Sequence, residues 1–155
     1  MGPGADDGTN TVIGSDDGTA IDWTKFKGAR AALGADFIRI LGYFREDGAK
    51  SIDTIEAAMR AKTAVAMILP AHTLKGESRQ FGAEALGDLA EAIEGHARDC
   101  VEWRQEPDQV LEHVVRLRPA FEATMEMFER ETNPLVERRG FGRRAEAQNQ
   151  SFGRL

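Results

Sequence analysis

Near the middle of the chain, the segment AHTLKGESRQFGAEAL contains a histidine, a lysine, a glycine and an arginine at helical spacing. At about 100° per residue, four of these positions fall within roughly a third of the circumference of a helix: His72, Lys75, Gly76 and Arg79. A histidine with an ordinary pKa of about 6.5 is largely neutral at pH 7, and its free ring nitrogen is a nucleophile. Two cations and a patch of bare backbone beside such a ring suit an incoming phosphoryl group.

The same segment carries a longer pattern. Two residues separate the histidine from a Lys-Gly pair, a second glycine follows six residues after the first, and a leucine stands four residues beyond that. The positions that meet this pattern are His72, Lys75, Gly76, Gly82 and Leu86. The pattern resembles the signature of histidine-containing phosphotransfer (HPt) domains, and the likeness covers roughly residues 21–130.

The resemblance implies an all-α fold, an antiparallel up-down four-helix bundle. It implies that His72 accepts a phosphoryl group from a phospho-aspartate of a receiver domain and passes it to another response regulator. The implied partners are receiver domains of response regulators, of a hybrid histidine kinase, or of both. Mg²⁺ is expected in the partner receiver, and no cofactor or metal is expected in this chain. Such a protein is a phosphoryl carrier and not an ATP-dependent kinase on its own; whether it is an enzyme stays open.

The resemblance also suggests roles for residues around the histidine. Lys75 and Arg79 would stabilise the charge of the migrating group. Glu94 and Arg98 are the candidates for orienting the ring and for a basic group near it, because their offsets from the histidine match such positions in some HPt domains. Glu77 departs from the family pattern, which usually has a small residue there. Its negative charge would slow phosphoryl transfer if it lies beside the reaction centre; alternatively, the side chain points sideways.

A docking surface for the receiver is expected next to the histidine. Three aliphatic residues share its helical face, namely Val65, Ile68 and Leu69. Gly76 would let a partner approach the helix backbone closely. The alternative is that Trp23 and Phe26, on a short N-terminal lid helix, cover these aliphatic side chains.

Apolar spacing predicts the helices that position these residues. The short lid helix is expected after Asp22, with a stop near Gly34. Long helices are predicted for about 35–61, for a segment ending near Gln80, for about 83–99, and from Pro107 onward. The core side of the second long helix is predicted to be Met67, Leu74 and Phe81. Four long helices with short connections predict antiparallel neighbours.

Composition favours one domain between two tails. The 155 residues are 41% hydrophobic and 30% charged, which fits a single domain with its own core. Residues 1–20 are predicted to be a disordered acidic and Gly-rich tail, 21–136 the bundle, and 137–155 a flexible basic tail. The net charge of −6 argues against a general nucleic-acid binder. Without a signal-peptide pattern or an apolar run long enough to span a membrane, we expect a cytoplasmic monomer that does not bind membranes.

Two other functions remain open. One is a non-catalytic helical adaptor that binds or sequesters a receiver domain, and Glu77 favours it. The other is the phosphoacceptor piece of a chemotaxis-type kinase whose catalytic part lies on another chain. His96 and His113 are predicted to be isolated surface histidines, because no spacing typical of metal sites surrounds them.

Overall fold

The computed structural model describes residues 11–12 and 20–133; the rest of the two predicted tails, and the predicted boundary at residue 136, lie outside these described residues. The helices are α1 (Trp23–Leu33), α2 (Phe37–Arg60), α3 (Val65–Gln80), α4 (Glu84–Glu102) and α5 (Leu111–Thr132). Short 3-10 helices, Gly34–Asp36 and Pro107–Val110, precede α2 and α5. Within the described ranges, no helix is both long and apolar enough to cross a membrane. The expected all-α class is confirmed.

A short pair of strands accompanies the helices. Strand β1 (Thr11–Val12) pairs with strand β2 (Ile21–Asp22) in antiparallel register. Two residues of the predicted N-terminal tail are therefore paired with the segment that leads into α1.

One face of α3 faces the core, as predicted from its apolar spacing. Met67 and Leu74 are fully buried, and Phe81, just after the helix, is only 1% exposed. Pro70 lies inside α3, and the helix continues on both sides of it. Since these buried residues occupy one side, the other side of α3 is open to solvent.

A series of aromatic rings connects α1, α2 and α5 with the turn between α3 and α4. Phe26 meets Phe37 edge-on at 5.3 Å between ring centroids, and Phe37 meets Phe81 at 5.9 Å. Phe44 stacks on Phe81 at 5.3 Å and meets Phe121 edge-on at 5.8 Å. Because offset and edge-on pairs add about 0.5–1.5 kcal/mol each beyond burial, these rings help to fix α2 against the end of α3.

α2 and α5 approach closely through a glycine and are joined by ion pairs. An added Cβ at Gly48 would lie 2.8 Å from the Phe121 ring atom Cζ, so only a residue without a side chain fits there. On the surface, Arg118 Nη2 lies 2.6 Å from Asp53 Oδ1 and 2.8 Å from Glu56 Oε1. Packing and charge therefore both hold α5 on α2.

The turn after α3 is built around Gly82, which has a φ of +83°. This left-handed conformation favours glycine, as the predicted turn requires. The backbone N–H of Asp22 donates to the Gly82 carbonyl oxygen at 2.7 Å, and the N–H of Ala85 donates to the Ala20 carbonyl oxygen at 3.3 Å. The segment that leads into α1 is therefore bonded directly to the α3–α4 turn.

The described chain belongs to two compact units. The first extends to Thr124, and the described part of the second consists mainly of the end of α5, residues 125–132. In that second part, Met125 and Phe128 are buried. All the predicted site residues lie in the first unit.

Candidate functional site

His72 lies on the solvent side of α3. Its side chain is 58% exposed, while the neighbouring Ala71 and Leu74 are fully buried. The helical period accounts for this contrast, since residue 72 points about 100° away from residue 71. The ring is therefore accessible to a partner and is not enclosed in the apolar core.

Glu94 of α4 connects the predicted site residues. Its Oε2 lies 3.1 Å from Nδ1 of His72, and its Oε1 lies 2.8 Å from Nζ of Lys75. Arg98, one turn further along α4, places Nη2 2.8 Å from Glu94 Oε2. The Glu94 side chain is only 7% exposed. The structure thus brings three of the predicted site residues, His72, Lys75 and Arg98, together around the buried carboxylate of a fourth.

The charge state of Glu94 follows from these contacts. Burial by itself would raise the pKa of Glu94, but hydrogen bonds from Lys75, Arg98 and His72 outweigh burial and lower this pKa from 4.5 to about 2. Glu94 is therefore ionised at neutral pH, and an ionised carboxylate only accepts hydrogen bonds. Nδ1 of His72 must then carry the proton, which leaves the lone pair of the neutral ring on Nε2. Nε2 is the nitrogen available for attack.

Lys75 lies one turn after the histidine, and its side chain is 23% exposed. Its Nζ forms an ion pair with Glu94 Oε1 at 2.8 Å. Because an ammonium group has three N–H donors, donors remain for an anion that approaches the ring. Its function in binding such an anion stays a prediction.

Arg79 has partners that the sequence did not predict. Its Nη2 lies 2.7 Å from Oδ1 of Asp88 and 2.6 Å from Oε1 of Glu91. The stem crosses α4 at Gly87, where an added Cβ would lie 2.8 Å from Arg79 Cγ. Direct contact of Arg79 with a phosphoryl group stays a prediction, and it requires the guanidinium to leave both carboxylates.

The predicted docking surface is exposed in part. Val65 is 61% exposed and Leu69 is 71% exposed, whereas Ile68 is half-buried. Among the described residues, no heavy atom beyond its own helix and chain neighbours lies within 4 Å of an added Cβ at Gly76. The alternative in which the aromatic residues of α1 cover these aliphatic side chains is therefore wrong for Val65 and Leu69. Binding of a receiver at this surface stays a prediction.

Glu77, the departure from the family pattern, faces α2. It follows the histidine by five residues, which places it about 140° away around the helix. Burial, followed by the charge of Asp47 and a side-chain hydrogen bond with it, raises the pKa of Glu77 from 4.5 to about 7. A substantial fraction of Glu77 is thus protonated at neutral pH. This placement favours the sideways orientation over a full negative charge beside the ring.

Glu77→Gln is expected to stabilise the protein at high pH and much less at low pH. The folded state binds the Glu77 proton more tightly than the unfolded chain does, so this carboxyl destabilises the fold progressively as pH rises from 4.5 to about 7. Between pH 5 and pH 8, the difference in unfolding free energy between variant and wild type should grow by about 2 kcal/mol in urea titrations. The growth should shrink in an Asp47→Asn background. A difference that stays constant over this range would contradict the assignment.

His96 of α4 and His113 of α5 form a pair that the sequence did not reveal. Their rings stack at 5.2 Å between centroids with an interplanar angle of 10°. Burial is the largest of the effects that lower the pKa of His113, whose side chain is 18% exposed. The predicted isolation of the two histidines is therefore wrong, because helix packing brings their rings together, whereas His96 is exposed as predicted. Across the described ranges, no group of three or more His, Cys, Asp or Glu is arranged to hold a metal ion.

Comparison with known proteins identifies the family. The family model for the Hpt domain matches residues 39–131, more than half of the 155-residue chain. This range includes all of α3 and α4, and with them every residue placed around Glu94. Comparisons with curated proteins and with solved structures gave no match. The chain therefore belongs to the Hpt domain family.

Proposed function

We propose that Nε2 of His72 accepts a phosphoryl group from a phospho-aspartate of a receiver domain and passes it to another response regulator. Hpt domains take part in phosphoryl transfer in two-component relays, where they work with receiver domains and kinases. The observation that carries the proposal is an exposed imidazole whose Nδ1 lies 3.1 Å from a buried, ionised carboxylate. This arrangement supplies a nucleophile with a fixed orientation.

In the accepting step, the lone pair of Nε2 forms a bond to phosphorus while the bond from phosphorus to the aspartyl oxygen breaks. The receiver's carboxylate leaves with that electron pair, and the imidazole keeps its Nδ1 proton and becomes cationic. Glu94 lies against this proton and balances the new positive charge. Since phosphoryl transfer has a loose, in-line transition state, positioning and charge matter more than proton removal.

The donating step is the reverse. An aspartate of the second receiver attacks phosphorus, and the N–P bond breaks with its electron pair returning to Nε2. The cationic ring is a good leaving group because it departs as neutral imidazole, still bonded to Glu94. The receivers supply Mg²⁺, and this chain needs only to present the ring at its exposed face.

Lys75→Ala is expected to slow acceptance by about ten- to a hundredfold, which corresponds to ~1.4–2.7 kcal/mol of transition-state stabilisation. The reason is the loss of the ammonium group that lies on Glu94 one turn from the ring. Rapid-quench measurement of phosphoryl uptake from a phosphorylated receiver gives the rate. Lys50→Ala, at an exposed position on α2, serves as the control and should leave the rate unchanged. Equal rates for Lys75→Ala and wild type would show that the ammonium does not act on the transition state.

The adaptor alternative has lost its main support. It depended on a negative charge at Glu77 beside the reaction centre, and the Glu77 carboxyl faces Asp47 with a pKa raised by burial to about 7. The deciding experiment mixes the full chain with a phosphorylated receiver and Mg²⁺ and locates the label by mass spectrometry. Label on His72 supports the carrier, whereas stable receiver binding without label supports the adaptor. A kinase domain with ATP added to the same mixture tests the phosphoacceptor of a chemotaxis-type kinase.

We also infer that the long helices run antiparallel, up and down, with α1 as a lid. Along α3, from His72 to Arg79, the ion-pair partners on α4 move backwards from Glu94 to Asp88, which supports opposite directions. The full burial of Phe26, and its edge-on contact with Phe37 of α2, support the lid. We propose that the protein acts as a monomer in the cytoplasm.

A further inference from the structure

We propose that Arg79 is a positioning residue for the phosphoryl transfer inferred above. Its guanidinium forms ion pairs with Glu91 and Asp88, and as a result Lys75 stays paired with Glu94 beside the histidine. The proposal rests on the proposed function and assigns to Arg79 a role other than direct contact with phosphate. It is carried by the pattern of ion pairs between α3 and α4.

The two helices carry facing rows of opposite charge. On α3 the cationic and imidazole side chains are His72, Lys75 and Arg79, and on α4 the carboxylates are Asp88, Glu91 and Glu94. The carboxylates recur every three residues, so they lie about one turn apart on one face of α4. The contacts divide this row in two, since Glu94 pairs with His72 and Lys75 while the other two carboxylates pair with Arg79.

Glu91 lies between Asp88 and Glu94 in the row of carboxylates on α4 and is paired with Arg79. A hydrogen bond from Arg79 and the charge of Arg79 are the main causes that lower the pKa of Glu91, and the charge of Lys75 contributes further. The positive charge of Lys75 thus acts on Glu91 as well, although its Nζ is ion-paired with Glu94 at 2.8 Å. Without Arg79, Glu91 would become an alternative partner for the Lys75 ammonium.

The position of Arg79 is built into α4. Gly87 lies under the stem of the arginine, where an added Cβ would be 2.8 Å from Arg79 Cγ and 3.0 Å from Nε. Any larger residue at this position would displace the stem and, with it, the guanidinium. The guanidinium then spans both carboxylates, at 2.7 Å from Asp88 and 2.6 Å from Glu91.

The chemical consequence concerns the charge that an incoming phosphoryl group meets. With Arg79 in place, one of the two negative charges of Asp88 and Glu91 is balanced, and the ammonium of Lys75 stays beside the ring. With Arg79 removed, two negative charges lose their partner, and Lys75 is drawn one turn along α4 towards Glu91. Both changes oppose the approach of an anion, and salt screens them because the carboxylates of Asp88 and Glu91 are largely exposed.

The test compares the full chain as wild type, Arg79→Gln, Glu91→Gln and the double variant. Arg79→Gln should slow phosphoryl uptake from a phosphorylated receiver by about three- to fivefold at low ionic strength, and less at high salt. Glu91→Gln alone should stay close to wild type. Adding Glu91→Gln to Arg79→Gln should restore most of the rate, because the competing carboxylate is gone.

That rescue separates positioning from the other roles of Arg79. If Arg79 contacted phosphate directly, or only braced α3 against α4, removal of Glu91 would not restore the rate. A double variant as slow as Arg79→Gln would therefore overturn the proposal, and so would an Arg79→Gln rate equal to wild type.

A second readout does not depend on transfer. Side-chain ¹³C NMR of the carboxyl groups shows which carboxylate responds when Lys75 is changed to Gln. We expect mainly Glu94 to respond in the wild-type background, and Glu91 to respond as strongly in the Arg79→Gln background. If this shift is seen but wild type takes no label, the proposed function fails while the pairing holds. If wild type takes label and the response of Glu91 is the same in both backgrounds, the positioning role fails instead.

Discussion

His72→Gln is expected to abolish phosphoryl acceptance, with a loss of at least ~1000-fold, because the reacting nucleophile is removed. The nitrogen of a glutamine amide has no free lone pair for attack on phosphorus. The amide can still donate a hydrogen bond to Glu94, so the buried carboxylate keeps a partner in place of Nδ1. The measurement is the time course of label from a phosphorylated receiver, with the modified residue identified by mass spectrometry.

Two controls make this result interpretable. His96→Gln removes another exposed histidine and should take up label at the wild-type rate. The circular dichroism and receiver affinity of His72→Gln should match those of wild type, which separates loss of chemistry from loss of fold or docking. Label on His72→Gln at a comparable rate would remove His72 from the reaction.

Gly82→Ala is expected to destabilise the fold by about 2–4 kcal/mol. The residue has a φ of +83°, where a side chain is strained, and an added Cβ would meet the carbonyl oxygen of Asp22 and lie 3.2 Å from Phe26 N. Asp22 is itself bonded to the α3–α4 turn, and Phe26 lies in the first turn of the helix that follows it, so neither moves away without disturbing that contact. Urea unfolding followed by circular dichroism measures the loss.

Gly76→Ala provides the matched control within the same signature. Gly76 lies inside α3, and no heavy atom from outside its immediate helical surroundings, within the described residues, approaches an added Cβ within 4 Å. Alanine there should be neutral or stabilise the protein by up to about 1 kcal/mol. Equal stability of the two variants would show that the turn at Gly82 tolerates a side chain. The two glycines of one motif thus have different roles: Gly82 allows the backbone conformation of a turn, whereas Gly76 leaves the surface of α3 free of a side chain.

Local periodicity was sufficient for much of the fold. The apolar spacing in α3 predicted that Met67 and Leu74 are buried and that the histidine lies on another face, and both follow from about 100° per residue. Gly82 was predicted as a turn residue, and its φ confirms it. Helix ends were less accurate, since α4 extends to Glu102 instead of ending near residue 99. Helix ends depend on what packs against the last turn, which a local pattern does not contain.

Contacts between helices could not be predicted from the local sequence pattern. The stacking of His96 on His113 joins residues of two helices and has no signal in local spacing. The same holds for the carboxyl of Glu77, whose pKa is raised by burial and by Asp47 of α2. The offset of Glu94 from the histidine suggested a contact only through the resemblance to a family, and the pairing itself needs α4 packed against α3.

The sequence by itself predicted the candidate reaction centre: His72, Lys75 and Gly76 on one helical face, roughly opposite the buried residues, with Gly82 in the turn that follows. Spacing along one helix suffices for this, because the positions of side chains around a helix follow from its period. Tertiary structure decided which charges meet. It placed the Glu94 carboxylate next to Nδ1 of His72, which leaves Nε2 as the free nitrogen. It also paired Arg79 with Asp88 and Glu91. Those pairings depend on the axial register of two packed helices, and register is set by the shape of the core between them.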